Sequence, residues 1–226
     1  MNTSYYENAQ VKTYSMSGVF GWMFLAILLT GATAFGLPYL LAASDSLELY
    51  IGILIGGLVS VIVLTFVGRW IISTTKSAFV AILIFSLFSI SMGVWISPLI
   101  LFYEIEVVGT SLLVTSVIFG IMAIYGSVTK TDLSGFGNIL FMILIGAILI
   151  SIINIFIANT YIDWIISYVL LAVYVGFIAY DVQNVKKLAE SGQLTTNVSL
   201  LMALNLYVDF IYIFIRLLAI INEARD

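Results

Sequence analysis

Two aspartates carry the strongest chemical signal in this chain. Asp209 lies near the middle of an apolar run, Leu200 to Ile221, long enough to cross a membrane, and Asp181 closes the apolar run before it. A carboxylate at the centre of a spanning helix costs about 2.5–3.5 kcal/mol, so such a residue usually has a partner and a task. Asn205, Asp209, Tyr212 and Arg216 are spaced by four, three and four. That spacing lines them along one helical face over about 16 Å. Ser167, Tyr174 and Asp181 recur every seven residues and also share a face. With both stripes turned to the protein interior, the two carboxyls can meet. Two carboxyls in contact cannot both ionise cheaply, so they would share a proton and titrate as a unit.

Arg69 ends the second apolar run on the same side as Asp181. Its guanidinium stays charged and offers a fork suited to a carboxylate. An arginine that pairs with an ionised dyad and releases a protonated one makes a pH-dependent latch. Plainer roles stand beside these. Arg69 also fits an interface anchor, and Asp181 fits a solvated residue just past a helix end, beside Gln183, Asn184 and Lys186. A structural Asp209–Arg216 pair would have to span about two helical turns, too far for comfort. Arg216 could instead reach the outer interface.

The elements that must hold these groups are membrane helices. Of 226 residues, 62% are hydrophobic and 9% charged, more apolar surface than a water-soluble domain of this size can hide. Seven runs reach the length of about 20 residues that a spanning helix needs: 18–43, 49–71, 78–102, 107–129, 136–158, 161–183 and 198–221. They alternate too little for a β-barrel. The chain reads as an all-α polytopic membrane protein: a polar tail, 1–17, and a single seven-helix domain, 18–226. Leu41-Ala42-Ala43-Ser44 faintly resembles a signal-peptide cleavage site, but the first apolar stretch is far too long for a signal core, so it reads as a retained span.

Loop charges separate by sign. Lys12, Arg69 with Lys76, Lys130, and Lys186 with Lys187 fall at the tail and at every second loop, and Asp45, Glu48, Glu104, Glu106 and Asp163 fall between them. The positive-inside rule then puts the amino terminus in the cytoplasm. The last run, the most polar, either crosses fully or re-enters, and a full crossing is the expectation.

Small residues suggest packing. Gly52, Gly56 and Ser60, and then Ser86, Ser89, Gly93 and Ser97, form stripes of the kind that let helices approach closely, and Asn154 is expected to bond between helices. The formal charge of −4 gives no footing for nucleic acid. Cysteine and histidine are absent, which removes disulfides, iron–sulfur clusters, thiolate zinc sites and histidine-ligated haem. A pH response near neutrality must therefore come from carboxylates. With no nucleophile, base and metal set in view, an enzyme is a poor fit, and no cofactor is expected.

The stretch Ala203-Leu204-Asn205-Leu206-Tyr207-Val208-Asp209-Phe210-Ile211, continuing to Phe214-Ile215-Arg216-Leu217-Leu218, resembles the carboxy-terminal signature of the Bax inhibitor-1 family. Tyr180-Asp181-Val182-Gln183 is similar to that family's second aspartate motif. Length and span count agree along nearly the whole chain. The resemblance implies a central last helix wrapped by six others. It also implies a pH-sensitive calcium leak, with a hydrogen-bonded pair at Asp181 and Asp209 as sensor and Arg69 as its latch. Two positions depart from the pattern: Arg216 stands where an uncharged residue is common, and Asn205 where a small or hydroxyl residue is frequent.

The expected function is a passive calcium leak in a bacterial plasma membrane, with protons as regulators and calcium as cargo transiently held by Asp181 and Asp209. Asn205, Tyr174, Tyr212 and Arg216 are the candidate pore or sensor neighbours. A proton-coupled transporter using the same carboxylates is one rival. Another is a non-transporting regulator of a membrane protease or of a stress response.

Overall fold

The computed structural model describes residues 15–42 and 47–225. Lys12, Asp45, Ala43 and Ser44, with residues 1–14 of the polar tail, lie outside the described residues. Among the described residues the chain forms α1 (Met16–Ala42), α2 (Leu47–Val63), a π-helical segment (Leu64–Gly68), α3 (Arg69–Thr74), α4 (Ala78–Phe102), α5 (Ile105–Val128), α6 (Ser134–Ile157), α7 (Thr160–Glu190) and α8 (Thr196–Glu223). The segment from α2 to α3 runs as one span, so seven spans are long and apolar enough to cross a membrane. This is a multi-pass membrane protein. Its outer faces present exposed Phe66, Phe102, Leu113 and Phe156, surfaces suited to hydrocarbon.

Side-chain caps set several helix starts. Ser77 accepts from the Val80 amide at α4, Asn159 from Tyr161 and Ile162 at α7, and Thr195 from Val198 at α8. Asn154 does bridge helices: its Nδ2 donates to Asp163 Oδ1 at 2.6 Å, tying the end of α6 to the start of α7.

α8 is the axis of the bundle. In its apolar stretch 61% of residues are buried, against at most 39% in any other span. It packs on α1, α3, α4, α5 and α7. The wrapping is uneven, because α2 leans mainly on α4 and α6 mainly on α7. Behind α8, Tyr207 is fully buried, and its hydroxyl meets Thr30 Oγ1 at 2.5 Å, while Thr30 donates to the Ser89 carbonyl at 2.9 Å. These bonds join α1, α4 and α8 and fix the rotation of α8.

The last run passes through the bundle from end to end and is long enough to cross a membrane. α8 is unbroken over 28 residues, about 42 Å at 1.5 Å per residue. Near its start, Asn197 Nδ2 donates to the Thr75 carbonyl at 2.7 Å, beside Lys76. Past its end, Arg225 reaches Glu106 at 3.2 Å and Glu104 at 3.5 Å. The two contacts lie at opposite ends of the bundle, so a re-entrant path is excluded.

One small-residue stripe packs as expected and the other does not. A methyl on Gly93 would meet the Thr30 carbonyl at 2.6 Å, so α1 and α4 touch backbone to backbone there. Gly52 and Gly56 face open space, and the close approach of α2 to α4 falls on Gly57, where a methyl would meet the Val94 side chain at 2.5 Å. The stripe is displaced by one residue, and one residue turns a helix by about 100°.

Candidate functional site

The two polar stripes face one another in antiparallel register. Tyr174 of α7 and Tyr212 of α8 stack with ring centroids 4.9 Å apart and planes 9° from parallel. Two helical turns towards the Glu104 end of the bundle from Tyr174, Ser167 accepts from Arg216 Nη1 at 3.4 Å. In the other direction, Asp181 and Asp209 line one cavity of about 680 Å³ with Arg69, Asn205, Tyr174 and Tyr212. Each rung is two turns from the next on α7 and one turn on α8, so the stripes register at the tyrosine stack and the long Arg216 side chain reaches on to Ser167.

Asp181 does not lie past a helix end. α7 continues to Glu190, seven residues beyond the expected 183, and Asp181 is 8% exposed. The polar letters that suggested a loop are packed against a neighbouring connection. Gln183 accepts from the Leu133 amide and donates to the Thr131 carbonyl, both at 2.8 Å, and Lys186 donates to the Ser127 carbonyl at 2.8 Å. At the exposed surface Lys187 pairs with Asp132 at 2.6 Å. The hydrogen bond from Lys187, then those from Ser134, hold the Asp132 carboxyl well below the usual carboxylate range.

Asp209 is 6% exposed, and its Oδ2 is buried without a hydrogen-bond partner. Asp181 lies within electrostatic range of it across the same cavity. Both carboxyl-bearing residues line that one cavity. A buried acceptor with no donor is costly, and it marks a place where a proton, a cation or water is wanted.

Arg69 is turned inwards. Its Nη2 donates to Asn205 Oδ1 on α8, one helical turn from Asp209. Among the described residues it forms no ion pair with either carboxyl, although both lie within its electrostatic range. The plainer role of an outward interface anchor is therefore overturned by geometry.

The π-helical segment that aims Arg69 was not foreseen. Its wider i→i+5 turn inserts one residue just before Arg69, and such segments recur at functional sites. In an unbroken α-helix Arg69 would sit about 100° away. Thr65 and Phe66 of this segment, together with Phe88, Met92, Phe141, Leu144 and Phe177, complete most of the cavity wall. The apolar residues gave no signal beyond ordinary core. Thr65 three residues before Gly68, in an otherwise apolar run, was the one legible hint.

Glu104 and Glu106 share Arg225, and Asp163 accepts from Asn154, so these acids are engaged rather than free. Among the described residues no group of three or more acidic side chains converges as a metal site.

Comparison with known proteins agrees with the resemblance in the sequence. Residues 13–226 match the family model described as Inhibitor of apoptosis-promoting Bax1. The chain is 37% identical over 229 residues to the inner membrane protein YbhL of Escherichia coli K12, covering 96% of this chain and 94% of that one. It is 31% identical over 225 residues to an uncharacterized protein of Deinococcus radiodurans, covering 96% and 93%. It is 34% identical over 170 residues to an uncharacterized membrane protein of Streptococcus pyogenes serotype M6, covering 74% and 73%. The chain belongs to the Bax inhibitor family.

Proposed function

We propose that this protein is a passive calcium leak of the bacterial plasma membrane, gated near its cytoplasmic end by protonation of Asp181 and Asp209, with Arg69 as the latch. The observation that carries the reading is the unpartnered Asp209 Oδ2 in a cavity shared with Asp181 and Arg69. Calcium is a hard cation that prefers oxygen ligands. Two carboxyls are too few to keep it as a resident ion and enough to pass it along. On this reading the Tyr174–Tyr212 stack, with Arg216 beyond it, is the seal between the cavity and the Glu104 end.

Protonation changes the charge facing Arg69 and biases the bundle between two packings. In this orientation the loops carrying Lys76, Lys130, Lys186 and Lys187 face the cytoplasm, as does the amino terminus. The test is calcium flux into proteoliposomes across a pH series. Flux should depend on pH in the wild type, and Asp209→Asn and Asp181→Asn should each abolish that dependence. Unchanged profiles in both variants would discard the gate. Uphill movement driven by an opposing proton gradient would replace the leak with a coupled transporter.

A further inference from the structure

We propose that Asn205 is a second, neutral docking stop for Arg69, and that competition between Asn205 and Asp209 sets the pH at which the latch moves. This rests on the gating reading above and adds to it a residue that determines the set point.

The geometry points here because Arg69 is already held. Its guanidinium donates to Asn205 Oδ1 and to neither carboxyl. Asn205 and Asp209 are four residues apart on α8, about 6 Å along its axis, and both line the cavity with Arg69. A guanidinium on a flexible arginine stem can cover that distance by rotamer change, without moving a helix. Asn205 offers a neutral acceptor whose strength does not vary with pH. Asp209 offers an acceptor that strengthens on ionisation, since charge-assisted bonds are about twice as strong as neutral ones. Arg69 therefore rests on Asn205 while the pair is protonated and moves one turn to the carboxyls when it is ionised.

The surroundings leave few competitors for this choice. The charged and titratable groups facing Asp209 are Asp181, Tyr174 and Tyr180 from α7, Arg69 from α3, and Tyr212 from α8 itself, with Arg216 one turn beyond the tyrosine stack. From α4 the cavity receives Phe88 and Met92, and from α6 Phe141, Leu144 and Ile148. α5 packs Phe119 on Phe210, and α1 meets the far face of α8 at Tyr207. Arg69 is thus the cation facing both Asn205 and the carboxyls, and its position decides their field.

The experiment compares the wild type with Asn205→Ala, Asn205→Ser and Asn205→Asp, each alone and with Arg69→Ala, in proteoliposomes loaded with a calcium indicator. Infrared titration of the buried protonated-carboxyl band is run on the same samples. Removing the neutral stop frees Arg69 for the ionised pair. Asn205→Ala should then move both midpoints to lower pH by about one unit, and Asn205→Ser should move them less. Asn205→Asp anchors Arg69 at the stop and adds a negative charge, so both midpoints should move to higher pH. With Arg69→Ala in place, the shift caused by Asn205→Ala should vanish.

Wild-type flux that responds to pH, together with an Asn205→Ala midpoint at the wild-type value, overturns the proposal and leaves the gate standing. A shift that persists without Arg69 also overturns it. Should wild-type flux ignore pH, the gating reading fails separately, and the infrared midpoints alone decide whether Asn205 and Asp209 compete for Arg69.

Discussion

Tyr174 and Tyr212 lie face to face, 4.9 Å between centroids, one turn beyond Asp209 towards the Glu104 end. An aromatic pair of this kind is worth about 0.5–1.5 kcal/mol beyond its buried area. If the protein conducts as proposed, the stack is the seal that an ion from that side must pass. Tyr212→Ala should raise calcium flux about fivefold, the rate equivalent of about 1 kcal/mol. Tyr212→Phe keeps the rings stacked and should leave flux near the wild-type value. Both are read from initial flux rates.

The π-helical segment makes a sharper prediction about Arg69. Deleting Val67 removes the extra residue and lets α2 and α3 merge as one α-helix, which turns the residues on one side of the deletion by about 100° relative to those on the other. Arg69 then leaves the cavity while keeping its charge. Flux measured against pH should match that of Arg69→Ala. A wild-type profile in the deletion variant would show that Arg69 has no positional role.

Packing of α1 on α4 should be intolerant at a single carbon. Gly93→Ala forces a methyl onto the Thr30 carbonyl and should destabilise the protein by about 1–3 kcal/mol. Gly52→Ala meets nothing within 4 Å and should be neutral in packing. Thermal unfolding in detergent separates the two.

Asp132 supplies a pH control. Its carboxyl is held well below the usual range by Lys187 and Ser134, so the contact is formed above the ordinary carboxylate pKa and is lost only as pH falls through the depressed value. Across the neutral range Asp132 stays ionised. Asp132→Asn should leave the pH midpoint of flux where it is. A moved midpoint would relocate the sensor to the α5–α6 connection.

Orientation can be tested without background, because the chain has no cysteine. Single cysteines at Lys130→Cys and Glu104→Cys lie at opposite ends of the bundle. Impermeant maleimide on intact cells should label the second and spare the first. The reverse pattern would invert the membrane orientation and move the gate to the other face.

Much of the fold was legible because lipid imposes simple rules. Apolar length gave seven spans within a few residues, and the spacings in α7 and α8 gave two stripes that do face each other. What failed was local. Gln183 and Lys186 read as loop, yet they bond to the α5–α6 connection and to the last turn of α5, and α7 runs on to Glu190. Gly52 and Gly56 read as an interface, yet α2 is rotated by one residue and uses Gly57. The π-helical segment has no residue signature strong enough to see, and it is what turns Arg69 inwards. Asn205 was visible as a departure from the family pattern. Its partner was not, since a contact across 136 residues of chain is invisible to spacing.

The most direct measurement titrates protonation and flux together in one preparation. The infrared band of the buried protonated carboxyl should disappear with the same pH midpoint at which calcium flux changes, and Asp209→Asn should remove both transitions. A carboxyl band that titrates normally while flux stays constant would contradict the claim that protonation of this pair gates the leak.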